Sequence, residues 1–233
     1  MAPPHMLPIE CYRGKLLMAI RSVVFDFGNV ICFPPAEEKI ARAAAECGLP
    51  VDSFLRALWK DRLPYDAGET PQEYWRKVAA HASTEFDDSL IARMVEHEIG
   101  FWNAFDSRVL AWIKVLREGG YTIGILSNLP HPIAASLRET PGFLEHFDHI
   151  TFSCDLRLFK PQSAIYEHSF RGLGVAPEET LFIDDKQENV DGARAVGMKA
   201  ELFTTWEEFV RDVPGRYGLP PAGGTACATK TQD

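Results

Sequence analysis

The chain has no paired-cysteine signature. Its five cysteines, Cys11, Cys32, Cys47, Cys154 and Cys227, are scattered without a Cys-x-x-Cys spacing. That pattern argues against a structural zinc site or a disulfide framework and fits a reducing, cytoplasmic compartment. Basic residues are also in deficit: 24 Lys and Arg stand against 33 Asp and Glu, a formal net charge of -9. This is the wrong sign for a nucleic-acid backbone or an anionic membrane as the main partner, although a local positive cluster can still serve a small anionic substrate. No apolar run is long enough to span a bilayer, since the stretch from Leu16 to Phe25 is broken by Arg21. Nor does a small-residue cleavage site follow an apolar segment, as a secretory leader requires. The remaining shortage concerns one position. Asp26 ends the apolar run Ser22-Val23-Val24-Phe25, yet two residues on, where many such sites carry a second acid, stands Gly28.

What is present suffices for one sizeable core and a smaller appended unit, in 233 residues of which 46% are hydrophobic. Residues 1–17, with Pro3, Pro4 and Pro8 and no period, read as a mobile leader. Residues 214–233, rich in Gly, Pro, Ala and Thr, read as a disordered tail with too few large apolar groups to offset ordering entropy. A β-branched run over 23–27 predicts the first strand. From Ala36 to about Phe105 the pattern is helical, with helices expected over 36–47, 52–61, 71–82 and 87–100, punctuated by Gly48-Leu49-Pro50 and by residues 66–70. This predicts a helical bundle, 34–105, inserted after the first strand. Beyond it, helices over 107–118, 132–139, 162–173, 187–196 and 206–212 alternate with strands over 121–127, 150–153, 180–184 and 199–203. Such alternation predicts an α/β fold, a parallel sheet covered on both faces, built from 18–33 and 106–213.

Chemistry in such a sheet is expected in the crevice at the carboxyl ends of its strands. Four polar signals fall there: Asp26 ends the first strand, Ser127-Asn128 the second, Asp184-Asp185 the fourth, and Lys160-Pro161 precedes the helix leading to the fourth. Together they suit phosphoryl transfer from a monoester. A carboxylate, Asp26, can attack phosphorus and split one hard displacement into two easier ones. Attack by an anion on an anion needs a hard cation, for which Asp184 and Asp185 supply charge. Lys160 adds a fixed positive charge, and the Ser127 hydroxyl with the Asn128 backbone N–H can hold phosphate oxygens. Pro161, at a helix start, is expected to fix the direction in which the lysine leaves its loop.

Taken in order, Phe25-Asp26-Phe27-Gly28-Asn29-Val30, Leu126-Ser127-Asn128, FKPQSAIY at 159–166 and FIDDKQENVDGARAVGM at 182–198 resemble the haloacid dehalogenase superfamily of phosphohydrolases. The resemblance covers about 19–208. It implies a Rossmann-like core, a helical cap between the first and second motifs, magnesium dependence and an aspartyl-phosphate intermediate. It further implies metal binding by Asp26, the Gly28 main-chain carbonyl and Asp185, with Asp184 nearby, directly or through water. Phosphatases of the superfamily usually read Asp-x-Asp, the second aspartate protonating the leaving oxygen. Here neither Gly28 nor Asn29 can act as that acid, and such help is worth roughly 100- to 10,000-fold in rate. The variant is similar to a branch that includes sugar-1-phosphate phosphatases, particularly those acting on glucose 1-phosphate, whose anomeric oxygen leaves more easily than a plain alkoxide.

The expected activity is therefore that of a magnesium-dependent phosphatase of a small phosphorylated metabolite, a sugar phosphate. Three alternatives differ in testable ways. A 2-haloacid dehalogenase also lacks the second acid but works without metal and does not keep an Asp-Asp pair at the fourth motif. A response-regulator receiver places its acidic pair first and its lysine last, the reverse of the order here. A degenerate phosphate-binding or regulatory protein would bind without turnover. Taken singly, each residue has a plainer reading: Asp26 as a turn cap, Ser127-Asn128 as a helix start, Lys160 as a solvated charge, Asp184-Asp185 as acids at a helix N-terminus. Asn189 reads as structural, and His131 as exposed at a helix start or touching substrate. Gly28 either serves a turn or lets its carbonyl approach a metal closely. The aromatics Phe54, Trp59, Tyr65, Tyr74, Trp75, Phe86, Phe101 and Trp102 are spaced mostly as core residues, with one or two left to stack on a sugar. Pro34 and Pro35 would stiffen the first crossing into the bundle, a candidate hinge.

Overall fold

The computed structural model describes residues 19–222; the expected leader and the end of the expected tail lie outside that range. Five strands form one parallel sheet: β1 (Ser22–Phe25), β2 (Thr122–Ser127), β3 (His149–Phe152), β4 (Thr180–Asp184) and β5 (Lys199–Leu202), in the order β3-β2-β1-β4-β5. Every residue of β1 is buried, as a central parallel strand requires. Alternate side chains enter opposite layers. Val23, Phe25, Ile123, Ile125, Leu181 and Ile183 pack on one face, under α6 (Ser107–Glu118), α7 (His131–Glu139) and α11 (Trp206–Tyr217). Val24, Leu126 and Phe182 pack on the other with Ile165 and Tyr166 of α9 (Ser163–Gly172) and Val190 and Ala193 of α10 (Gln187–Ala195). This is the doubly covered, Rossmann-like α/β sheet that the alternation predicts.

The segment between β1 and α6 holds α1 (Glu37–Glu46), α2 (Val51–Lys60), α3 (Arg62–Asp66), α4 (Pro71–His81) and α5 (Asp88–Phe101). They enclose a core of their own, with Phe54, Tyr65, Tyr74, Trp75, Phe86 and Phe101 all buried. Thr70 and Glu73 form a reciprocal capping box at the start of α4, which explains why the chain turns into a helix there. The two crossings between sheet and bundle run side by side. Phe33 N donates to Ala104 O at 2.9 Å and Asp106 N to Ile31 O at 2.8 Å.

Several expectations need correction. The short helix α3 fills 62–66, where no helix is expected, while the expected punctuation persists over 67–70, and α8 (Ser153–Leu156) follows β3 directly. Helix α9 begins at Ser163 with Gln162 as its N-cap, so Pro161 lies outside it and does not start it. Helix α11 continues through Pro214 to Tyr217, where the tail was expected to begin. Leu219 is buried there, and Trp112 Nε1 donates to Pro220 O at 3.0 Å. A few well-placed apolar groups thus hold residues 214–222 on the sheet domain, although the composition of the whole tail suggests otherwise.

Candidate active site

The strand order makes the site. Chain progression runs from β1 through β2 to β3 on one side and from β4 to β5 on the other, so the direction reverses between the adjacent strands β1 and β4. A crevice opens at such a switch. Phe25 pairs with Ile183 in register, which sets Asp26 beside Asp184 and Asp185. Carboxylate oxygens of these three lie within 4.8 Å of one another. Lys160 reaches between them, its Nζ 2.8 Å from Asp26 Oδ1 and 2.6 Å from Asp184 Oδ2, and it also donates to Leu126 O at 3.1 Å.

The two neighbouring aspartates are not equivalent. Asp184 is fully buried and its oxygens are occupied: Oδ1 accepts from Lys186 N at 2.8 Å and Asn189 Nδ2 at 2.9 Å, and Oδ2 accepts from Lys160 and, at 3.1 Å, from Asn189. Asn189 therefore acts as a positioning residue, in line with its structural reading. Asp185 is half-buried, and its Oδ2 accepts from Asn29 Nδ2 at 2.8 Å. Asn128 clamps the lysine loop from both sides, Oδ1 accepting from Lys160 N at 2.8 Å and Nδ2 donating to Lys160 O at 3.0 Å. That use of its side chain was invisible in the sequence. Ser127 closes β2, buried and paired in register with Phe152.

Electrostatically the cluster is unfinished. Three carboxylates face one lysine, an excess of two negative charges. Burial, together with the Asp184 and Asp185 charges and against the pull of Lys160, pushes the Asp26 carboxyl up to about 7. Burial alone would lower Lys160, but Asp184 and Asp26 hold it above its ordinary value. A hard divalent cation fits this donor set, since it takes oxygen ligands and cancels the excess charge. A second group of metal-ligating types, His131, Cys154 and Asp155, also lies within 4.8 Å, but Asp155 is already paired with Arg138 at 2.5 Å.

Gly28 is explained by a contact and not by its backbone. The left-handed residue of this turn is Asn29, at φ 60°, whereas Gly28 is not in that region. A Cβ on Gly28 would instead stand 3.0 Å from Cζ3 and 3.4 Å from Cη2 of Trp102, the residue that caps α5. Sequence reasoning gave no sign of that pairing. It also missed the seam where the bundle meets the crevice. Asp66 O accepts from Ser153 Oγ at 2.5 Å, and Ser153 Oγ accepts from Leu129 N at 2.9 Å. Gly68 lies close enough that a Cβ there would be 3.1 Å from Cys154 O and 3.4 Å from Nε2 of the exposed His131. A surface groove of about 370 Å³ among Lys39, Arg93 and His97 is lined by none of the strand-end residues, and its Glu46 is paired with Arg93 and His97.

Fold and site together define a doubly wound α/β domain, with a carboxylate–lysine cluster at its switch point and a helical insertion after its first strand. The chain belongs to the haloacid dehalogenase-like hydrolase family, whose family model matches residues 20–197. It is similar to D-ribitol-5-phosphate phosphatase of Bacteroides thetaiotaomicron, 26% identical over 190 residues that cover 77% of this chain and 90% of that protein. A sesquiterpene phosphatase of Aspergillus oryzae is 36% identical over 93 residues, 40% of this chain and 47% of the relative. The chain spans less than half the length of the first three curated relatives it matches. In fold it resembles a haloacid dehalogenase family enzyme of Bacteroides thetaiotaomicron, an aspartate-to-alanine variant solved with magnesium and inorganic phosphate. That match has a TM-score of 0.67 at 19% identity and covers 82% of this chain and 99% of the other.

Proposed function

We propose that the chain is a magnesium-dependent phosphatase that hydrolyses a small phosphate monoester through a phosphorylated Asp26. The observation that carries the reading is the under-neutralised carboxylate cluster at the switch point, with Lys160 held between Asp26 and Asp184. Asp26 is the nucleophile: its oxygen bonds to phosphorus as the bond to the ester oxygen breaks and that oxygen takes a proton from solvent; water then bonds to phosphorus, gives its proton to the departing phosphate, and frees the Asp26 carboxylate. Lys160 keeps the acceptor oriented and offsets charge as it accumulates, and the Ser127 hydroxyl and Asn128 N–H hold phosphate oxygens. Magnesium, when bound, supplies charge cancellation and aligns the reacting oxygens.

The cation would be held by Asp26, the Gly28 carbonyl and Asp185. Asp184, with both oxygens engaged by Lys160, Asn189 and Lys186 N, orients the lysine and its own loop. The helical bundle over 34–105 acts as a cap, with its hinge at the paired crossings. Sugar phosphates are the substrate class that the Asp26-Phe27-Gly28-Asn29-Val30 variant implies. Relatives named as ribitol-phosphate and phosphoglycolate phosphatases support small phosphorylated metabolites in general.

A panel of phosphate esters with and without magnesium is the test. Magnesium-dependent phosphate release from at least one ester is expected. Tight binding of esters with no release above background would overturn the enzyme reading in favour of a phosphate-binding protein.

A further inference from the structure

We propose that Trp102 forms the wall of a leaving-group subsite beside the nucleophile loop, selecting phosphate esters whose alcohol part has a carbon-rich face large enough to cover an indole. The proposal rests on the phosphatase reading and narrows its substrate class. The geometry behind it is local. Gly28 follows Asp26 by two residues, so the two Cα atoms are at most about 7 Å apart. The six-membered ring of Trp102 closes on the side of Gly28 from which a side chain would grow, its atoms 3.0, 3.4 and 3.7 Å from the Cβ position. A side chain at Gly28 would thus have to push the indole aside by a few tenths of an ångström.

Trp102 also lies at the junction of the two units. It packs against both the sheet-side core and the bundle core while remaining only half-buried. Of the other bundle tryptophans, Trp75 is fully buried and Trp59 is exposed on α2, already covered on one face by the Arg62 guanidinium at 5.5 Å. Trp102 is therefore a bundle tryptophan that both touches the nucleophile loop and keeps surface to offer. A phosphoryl group seated at Asp26 leaves the rest of the ester facing outward toward the bundle. An apolar or flat group there gains area burial and contact with the ring, while a two-carbon anionic group such as glycolate gains neither.

Calorimetric titration of the full chain with phenylphosphonate and methylphosphonate, in magnesium, reads the subsite without turnover. The parent is expected to prefer phenylphosphonate by about tenfold or more, Trp102→Phe to keep most of that ratio, and Trp102→Leu to bring it close to one while still binding methylphosphonate. Thermal melting of each variant confirms that it is folded, and Trp102→Met, which keeps an apolar side chain without a ring and should likewise bring the ratio close to one, is read in its place if Trp102→Leu is not. An equal ratio in the parent, a ratio unchanged by Trp102→Leu, or no binding of either phosphonate would overturn the subsite. Hydrolysis of the ester panel separates the two claims: esters cleaved without Trp102-dependent selectivity leave the phosphatase standing and remove the subsite. Selective phosphonate binding without any cleavage does the reverse.

Discussion

Two buried charge clusters sit a short way apart in this molecule, and they are built to different ends. In the bundle, Arg62 lies between Asp66, at 2.7 Å, and Glu98, which also accepts from Tyr65 Oη at 2.9 Å. At the strand ends, Lys160 lies between Asp26 and Asp184, with Asp185 alongside. Both clusters hold carboxyls above their ordinary range because burial outweighs the neighbouring cation. A raised carboxyl therefore does not by itself mark a reaction centre. What separates the two is completion. The bundle cluster joins α3 and α5 with one guanidinium fork, two acids and a tyrosine hydroxyl, a set in which each acid is directly engaged and which fixes how the two helices pack. The strand-end cluster has three acids for one ammonium group and sits at a topological switch point, an excess of acid that the proposed cation would offset.

That contrast can be broken by substitution, beginning with the largest effect. Asp26→Asn should lower phosphate release by at least about a thousandfold while the protein stays folded, because an amide cannot accept the phosphoryl group. Rate measurement beside circular dichroism checks it, and near-parental turnover would remove the nucleophile assignment. Arg62→Met should cost about 3–5 kcal/mol of stability, since it strands Asp66 and Glu98 in the bundle without their cation. Denaturant unfolding reads this, and a change below about 1 kcal/mol would show that the cluster is not the structural clasp described.

Stability against pH sharpens the difference further. Asp26 has its carboxyl raised from 3.8 to about 7 by burial. In chelator, the folded chain thus keeps a proton that the unfolded chain loses, and stability attributable to Asp26 falls as pH rises between about 4 and 7. Asp26→Asn should accordingly melt higher than the parent near neutral pH, with the gap closing toward pH 5 and shrinking when magnesium is added. A gap that grows on acidification would contradict the assignment. The smallest expected effect is that of Gly28→Asp alone. It should destabilise by about 1–3 kcal/mol through overpacking on Trp102 and should not speed alkyl phosphates. Faster turnover of alkyl esters by the single variant would show that the indole yields its place readily.

The sheet and its strand-end groups were legible because their signals are local. β-branched runs mark the strands, and Asp26, Ser127, Asp184 and Asp185 each follow directly from one. The bundle helices were legible from periodicity to within a residue or two. What escaped depends on contacts between distant residues. Arg62 to Asp66, with Pro64 in their middle, are too short to show a helical period, and their helix is held by the bonds of Arg62 and Tyr65 to Glu98. Trp102 is 74 positions from Gly28, and no period connects them. The unequal duties of Asp184 and Asp185 were hidden because adjacent carboxylates look alike until Lys160, Asn189 and Asn29 choose between them. Pro214 looked like a stop, yet the Trp112 hydrogen bond to Pro220 and the burial of Leu219 hold the residues beyond it.

If Asp26 accepts the phosphoryl group, rapid acid quenching during turnover followed by peptide mass analysis will find it there. One added phosphoryl group is expected on the peptide carrying Asp26, present only with magnesium and substrate and absent from Asp26→Asn. A phosphoryl group on any other residue, or sustained hydrolysis by Asp26→Asn at the parental rate, would contradict it.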